Sequence, residues 1–141
     1  MPSSDSGTRR LQTSPDGDHE QHSWFESRAS PSDHYCGYMF ALVVKFELQD
    51  SDKAAAFDQL VTETVQAITE HEPGTLVYAT HAVQGEPLSR IFYEVYRDRE
   101  AFDEHERQPH TRRFLDRRGE FVADFRVEFL TPGVVKGLAG M

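Results

Sequence analysis

The chain has 141 residues, a formal net charge of −9 and a single cysteine. That length allows one domain of common size. The acidic balance excludes the dense Lys and Arg clustering that grips a phosphate backbone, so no nucleic acid is expected. Cys36 alone excludes an internal disulfide and a cysteine-built metal cage.

Residues 1–38 are rich in Ser, Asp, Pro and His with few aliphatics, a composition that buries too little surface to offset chain entropy. An irregular N-terminal tail is expected there, its His19, Glu20 and His22 read as solvated and Arg9-Arg10 not as an export signal, since no apolar stretch follows. No apolar run reaches the length of a membrane span, so no membrane partner is expected and the cytoplasm is the expected compartment. The ordered domain is expected over residues 39–131, with a second irregular tail over 132–141.

Residues 39–48, Met-Phe-Ala-Leu-Val-Val-Lys-Phe-Glu-Leu, are β-branched and aromatic enough for a buried strand. Asp50 or Ser51 then caps a helix on which Phe57, Leu60, Val61, Thr64, Val65 and Ile68 recur every three or four residues. Pro73-Gly74 ends it. Strands over Thr75–Val83 and Leu88–Tyr96, joined by a turn at Gln84–Pro87, make an antiparallel hairpin. A second helical region starts at Asp98 and is broken by Pro109, which lacks an amide donor and clashes with the preceding turn. Arg112, Arg113, Arg117 and Arg118 read as a solvated helix face. Gly119 stops the helix, and Glu120–Thr131 alternates Phe121, Ala123, Phe125, Val127 and Phe129 against charged residues, a half-exposed strand.

The order β-α-β-β-α-β predicts an α+β fold of the ferredoxin-like, split βαβ kind: an antiparallel sheet with helices on one face. Its other face, bearing aromatics, is expected to meet a second copy, giving a homodimer whose two sheets close together.

The turn Glu72-Pro73-Gly74, the strand segment Tyr93-Glu94-Val95-Tyr96, and His105 followed by Pro109-His110 together resemble the antibiotic biosynthesis monooxygenase family, small dimeric α+β barrel proteins that include quinol monooxygenases. The resemblance covers residues 39–131. It implies oxidation of a quinol or polycyclic phenol by O₂ with no metal and no flavin, because a deprotonated phenol is electron-rich enough to reduce oxygen itself. The protein then supplies a base, a dry pocket and donors for the developing oxyanion. The chain departs from the pattern in having no asparagine and in carrying Tyr96 where tryptophan is common. With His105 at the position where heme-degrading relatives carry tryptophan, heme degradation is not expected.

Alternation along the third strand puts Phe92, Glu94 and Tyr96 on one face, and Phe102 and His105, three apart, on one side of the following helix. Glu94 and His105 are expected to meet as a carboxylate–imidazole pair, either catalytic, with Glu94 orienting a His105 base, or a structural tie for a buried carboxylate. Phe92, Tyr96, Phe102 and Phe114 are the expected apolar slot, with Tyr78 as a phenol donor and His110 at the mouth. His71 reads as a satisfied edge histidine, and His81 shares a strand face with Val77 and Ala79 that looks toward the dimer interior. Glu94, His105 and His110 lack the helical His-x-x-x-His spacing of a metal site, so none is expected. The alternatives to a monooxygenase are a non-oxidative isomerase on the same scaffold and a non-catalytic binding or stress-response module.

Overall fold

The computed structural model describes residues 39–137. The expected tail of residues 1–38 and the end of the second one, 138–141, lie outside the described residues. The elements run β1 (Phe40–Leu48), α1 (Ser51–His71), β2 (Thr75–Val83), β3 (Glu86–Tyr96), α2 (Arg99–Arg107), α3 (Pro109–Arg117), a 3₁₀ turn (Arg118–Glu120) and β4 (Val122–Leu130). All pairings are antiparallel, and the strand order is β2-β3-β1-β4. Each βαβ unit therefore straddles the strand between its two ends, which is the split arrangement the element order predicted.

Capping starts α1 and α2. Asp50 and Asp98 are extended, and their carboxylates accept the free amides of Lys53 (2.8 Å) and Ala101 (2.9 Å). Pro109 occupies the first turn of α3, where its missing N–H would have had no helical partner. The broken second helix thus has the cause the sequence suggested.

The buried side of α1 carries Ala54, Phe57, Leu60, Val61, Thr64 and Ile68 against Leu42, Val44, Phe46 and Leu48 of β1. Phe46 is its centre, with ring contacts to Phe57, Phe92, Phe114 and Phe125 at 4.9–6.3 Å. Burying one such side chain stabilises the fold by roughly 1.5–3 kcal/mol.

Two strands differ from the sequence pattern. The hairpin turn shortens to Gln84-Gly85, with Val83 paired to Glu86, because Gly85 takes φ +83°, a region open to a residue without Cβ. In β4, Ala123 is exposed and Val122 buried, against the expected alternation. The ladder shifts between Glu47 and Leu48, which pair with Asp124 and Val122, and leaves Ala123 as an extra residue that turns outward.

The sheet face away from the helices carries Val43, Val77, Ala79 and Tyr93 toward one end, with Glu128 opposite Val43, and Glu47 and Asp124 toward the other, with Ile91, Lys45 and Arg126 in a row between them. Tyr93 and Leu130 are exposed large side chains there. Among the described residues no helix is long and apolar enough to cross a membrane.

Candidate active site

Glu72 follows the last residue of α1 and, four positions after Ile68, continues that helix's buried stripe. Its carboxylate is inaccessible, and three side chains reach it. His105 approaches one oxygen through Nδ1 at 2.8 Å, Thr75 donates its hydroxyl to the same oxygen at 2.6 Å, and His110 approaches the other through Nε2 at 2.5 Å. Burial works to raise the Glu72 pKa, but the hydrogen bond and charge of His105, with those from Thr75 and His110, hold it below the usual value. Glu72 is therefore ionised, and both histidines donate to it.

The geometry depends on a close approach. A Cβ on Gly74 would lie 2.8 Å from the Ala101 Cβ, and the Arg97 amide donates to the Gly74 carbonyl at 2.9 Å. The turn after α1 is thereby seated on the first turn of α2, one helical turn before His105.

His105 is buried, and Thr111 Oγ1 of α3 lies 3.4 Å from its Nδ1. Burial disfavours its charge, yet Glu72, Glu94 and Glu106 outweigh this and raise its pKa. With Nδ1–H given to Glu72, the neutral ring keeps its lone pair on Nε2, the form a general base needs. Its ring adjoins Tyr96 (5.2 Å), Tyr78 (5.7 Å) and Phe102 (6.3 Å).

Glu94 is not the hydrogen-bond partner of His105 that the sequence suggested. Its carboxyl accepts the Tyr96 hydroxyl at 2.5 Å, two residues along the same face, while the Nδ1 of His105 is taken up by Glu72. Glu94 acts on His105 through charge alone. Burial raises the Glu94 pKa to about 7, despite the favourable charge of His105 and the Tyr96 hydrogen bond. Tyr78 is its direct partner across the β2–β3 ladder. Burial first, and then the Glu94 charge, push both phenols well above the usual value. The result is a second carboxyl, near its midpoint at neutral pH, flanked by two phenols on the sheet beneath the base.

The remaining predicted residues divide. Phe102 and Tyr96 adjoin His105, and Phe92 reaches the group through Tyr78 (5.9 Å). Phe114 stacks instead among Phe46, Phe57 and Phe92 in the central core. His110 lies on Glu72, its side chain slightly exposed. His71 is exposed, its ring 6.2 Å from His110, because the buried stripe of α1 runs on to Glu72 rather than to its neighbour. His81 is exposed, with Nδ1 3.2 Å from the Ile91 carbonyl. Among the described residues no cluster of three or more His, Cys, Asp and Glu side chains is arranged to hold a metal ion.

Of the hub, the sequence reading took Glu72 only as part of the turn that carries the family resemblance and gave it no place in the site, and it did not single out Thr75 or Thr111 as site residues. The signal that would have placed it there is a carboxylate in phase with an apolar helical stripe, which requires a buried partner.

The model of the antibiotic biosynthesis monooxygenase family matches residues 39–117, more than half of the chain. The chain belongs to that family. Solved structures share the fold of this family member at low identity. A candidate antibiotic biosynthesis monooxygenase from Caulobacter crescentus CB15 is 22% identical, with 72% of this chain and 96% of that one covered and a TM-score of 0.66. A like-named candidate from Nitrosomonas europaea is 20% identical, covering 75% and 96%, with a TM-score of 0.63. A conserved protein from Methanosarcina mazei Go1 is 17% identical, covering 69% and 95%, also at 0.63. No curated protein matches the chain. The split βαβ sheet with its broken second helix is thus the family's fold, carried here with a tyrosine-flanked carboxyl and a two-histidine carboxylate.

Proposed function

We propose that this family member is a monooxygenase that oxidises a quinol or polycyclic phenol with O₂ and no cofactor, with His105 as the base. The observation that supports this reading is the buried Glu72–His105 pair, which fixes the imidazole with Nδ1–H toward the carboxylate and leaves the lone pair on Nε2. His105 Nε2 takes the phenol proton. The phenolate then passes an electron to O₂, and the two radicals combine at an electron-rich ring or benzylic carbon. The substrate loses two hydrogens, on the ring route the phenol proton and the hydrogen of that carbon and on the benzylic route both hydrogens of a methylene, and gains a carbonyl oxygen, while the second oxygen atom leaves with those hydrogens as water. The substrate is thus the source of every electron. Tyr78 and the protonated form of Glu94 are donors for the oxyanion, Tyr96 orients Glu94 through its hydroxyl, and Phe92 and Phe102 exclude water from the site. In the same reading the enzyme works in the cytoplasm, where its lone cysteine stays reduced, and as a homodimer that covers the apolar end of the open sheet face.

The test is oxygen uptake by the full chain with a panel of hydroquinones and polycyclic phenols, without added metal or flavin. Wild type is expected to consume oxygen, and His105→Ala to lose about 10²- to 10⁴-fold of the rate. Uptake at the wild-type rate in His105→Ala removes the assignment of the base. Turnover that continues under nitrogen replaces the oxidative reading with isomerisation.

A further inference from the structure

One carboxylate serves two imidazoles here, and only one of them adjoins the phenols. Glu72 Oε1 receives His105 Nδ1 and the Thr75 hydroxyl, while Oε2 receives His110 Nε2. The His105 and Glu72 side chains are 4% and 3% exposed, whereas His110, at 13%, is nearer the surface and faces the ring of the exposed His71. We infer that His110 is a positioning residue which, through the carboxylate the two rings share, sets how firmly Glu72 holds His105.

The physical argument is a division of one charge. A donor on Oε2 draws negative charge from the carboxylate, so less is left at Oε1 to stabilise a proton on the other ring. A neutral His110 takes a share through its hydrogen bond, and a protonated His110 takes a larger one. The other groups facing His105 act in fixed directions: Glu94 of β3 and Glu106 of α2 favour its charge, Tyr78 of β2 and Tyr96 of β3 surround the ring, and Thr111 of α3 lies beside Nδ1. His110 differs from these in reaching His105 only through the Glu72 carboxylate, from a side chain nearer the surface. A base held too firmly by Glu72 would stay protonated at neutral pH and could not accept the phenol proton. His110 tempers that hold.

The inference deepens the reading of His105 as the base, but its primary test needs no substrate. Imidazole NMR on the full chain, assigned with single-histidine variants, follows the His105 titration. His110→Ala is expected to move it upward by about half a pH unit or more. His110→Gln, which keeps a donor for Oε2 and carries no charge, is expected to fall between that variant and wild type. Glu72→Gln is expected to move it downward. A structural role for His110 would lower the melting temperature and leave the His105 titration in place, and that result overturns the inference. Should His110→Ala not fold, wild type decides by its ¹⁵N spectrum. Neutral His105 must carry its proton on Nδ1 and neutral His110 on Nε2; the opposite tautomer at either ring also overturns it. Where oxygen uptake is measurable, the low-pH limb of its rate moves with the His105 titration. Absence of uptake with the titration shift intact would reject the monooxygenase reading and keep the role of His110.

Discussion

Glu94→Gln isolates the energetic consequence of a buried carboxyl. Burial raises the Glu94 pKa from 4.5 to about 7, and at about 1.4 kcal/mol per unit the difference corresponds to about 3 kcal/mol. Its sign is opposite to that of a salt-bridged acid. Between the two values the folded chain keeps a proton that the unfolded chain has released, so stability falls as pH rises through this window and levels off above it. Glutamine matches the side chain in shape and retains a carbonyl for the Tyr96 hydroxyl, but it has no proton to lose. The assay is urea unfolding of wild type and Glu94→Gln by far-ultraviolet circular dichroism at equal protomer concentration, from pH 5 to pH 8. Groups that do not touch Glu94 cancel in the difference. Relative to wild type, the variant is expected to gain about 2.5 kcal/mol between pH 5 and pH 8, the rest of the difference lying below pH 5, with the change nearly complete a little above pH 7. Parallel curves across that range would show that Glu94 is not held protonated by burial, and the same result would remove it as a hydrogen-bond donor in the site.

Two further outcomes follow from the packing. Gly74→Ala places a methyl against Ala101 and is expected to destabilise the fold by about 1–3 kcal/mol, whereas the same change in an Ala101→Gly background should lose much of that penalty; additive losses in the double variant would refute the contact. Tyr93→Glu puts a charge at the apolar end of the open sheet face. Sedimentation equilibrium is expected to show a dimer for wild type and a shift toward monomer for the variant, and identical masses would argue against that face as the interface.

Much of the fold was legible because it rests on local periodicities. The α1 stripe from Phe57 to Ile68, the aspartate caps and the break at Pro109 each follow from spacing or backbone chemistry within one element. The shift in β4 was not legible, since a bulge is decided by how Leu48 and Val122 meet across the sheet and leaves no mark in the alternation of either strand. In the site, the shared face of Phe92, Glu94 and Tyr96 came from the strand period, and His105 was placed on the correct side of its helix. The partner of His105 was misplaced for a physical reason. Strand proximity suggested Glu94, but the partner arrives from a turn 33 residues earlier, seated by the approach of Gly74 to α2. A sequence pattern shows which way a carboxylate points within its own element and not which distant element is folded against it.

The position of β1 in the sheet also bears on how the chain acquires its structure. It is the first strand of the domain in sequence and an inner one in space, with β3 along one edge and β4 along the other. During synthesis its apolar run must wait for β3, which begins at Glu86, and then for β4, which begins at Val122. The β2–β3 hairpin can close locally in microseconds, whereas both pairings of β1 require long loops to close first. Until then Phe40–Leu48 is an unpaired strand with both edges open, the segment of this chain most exposed to wrong partners and to chaperone capture.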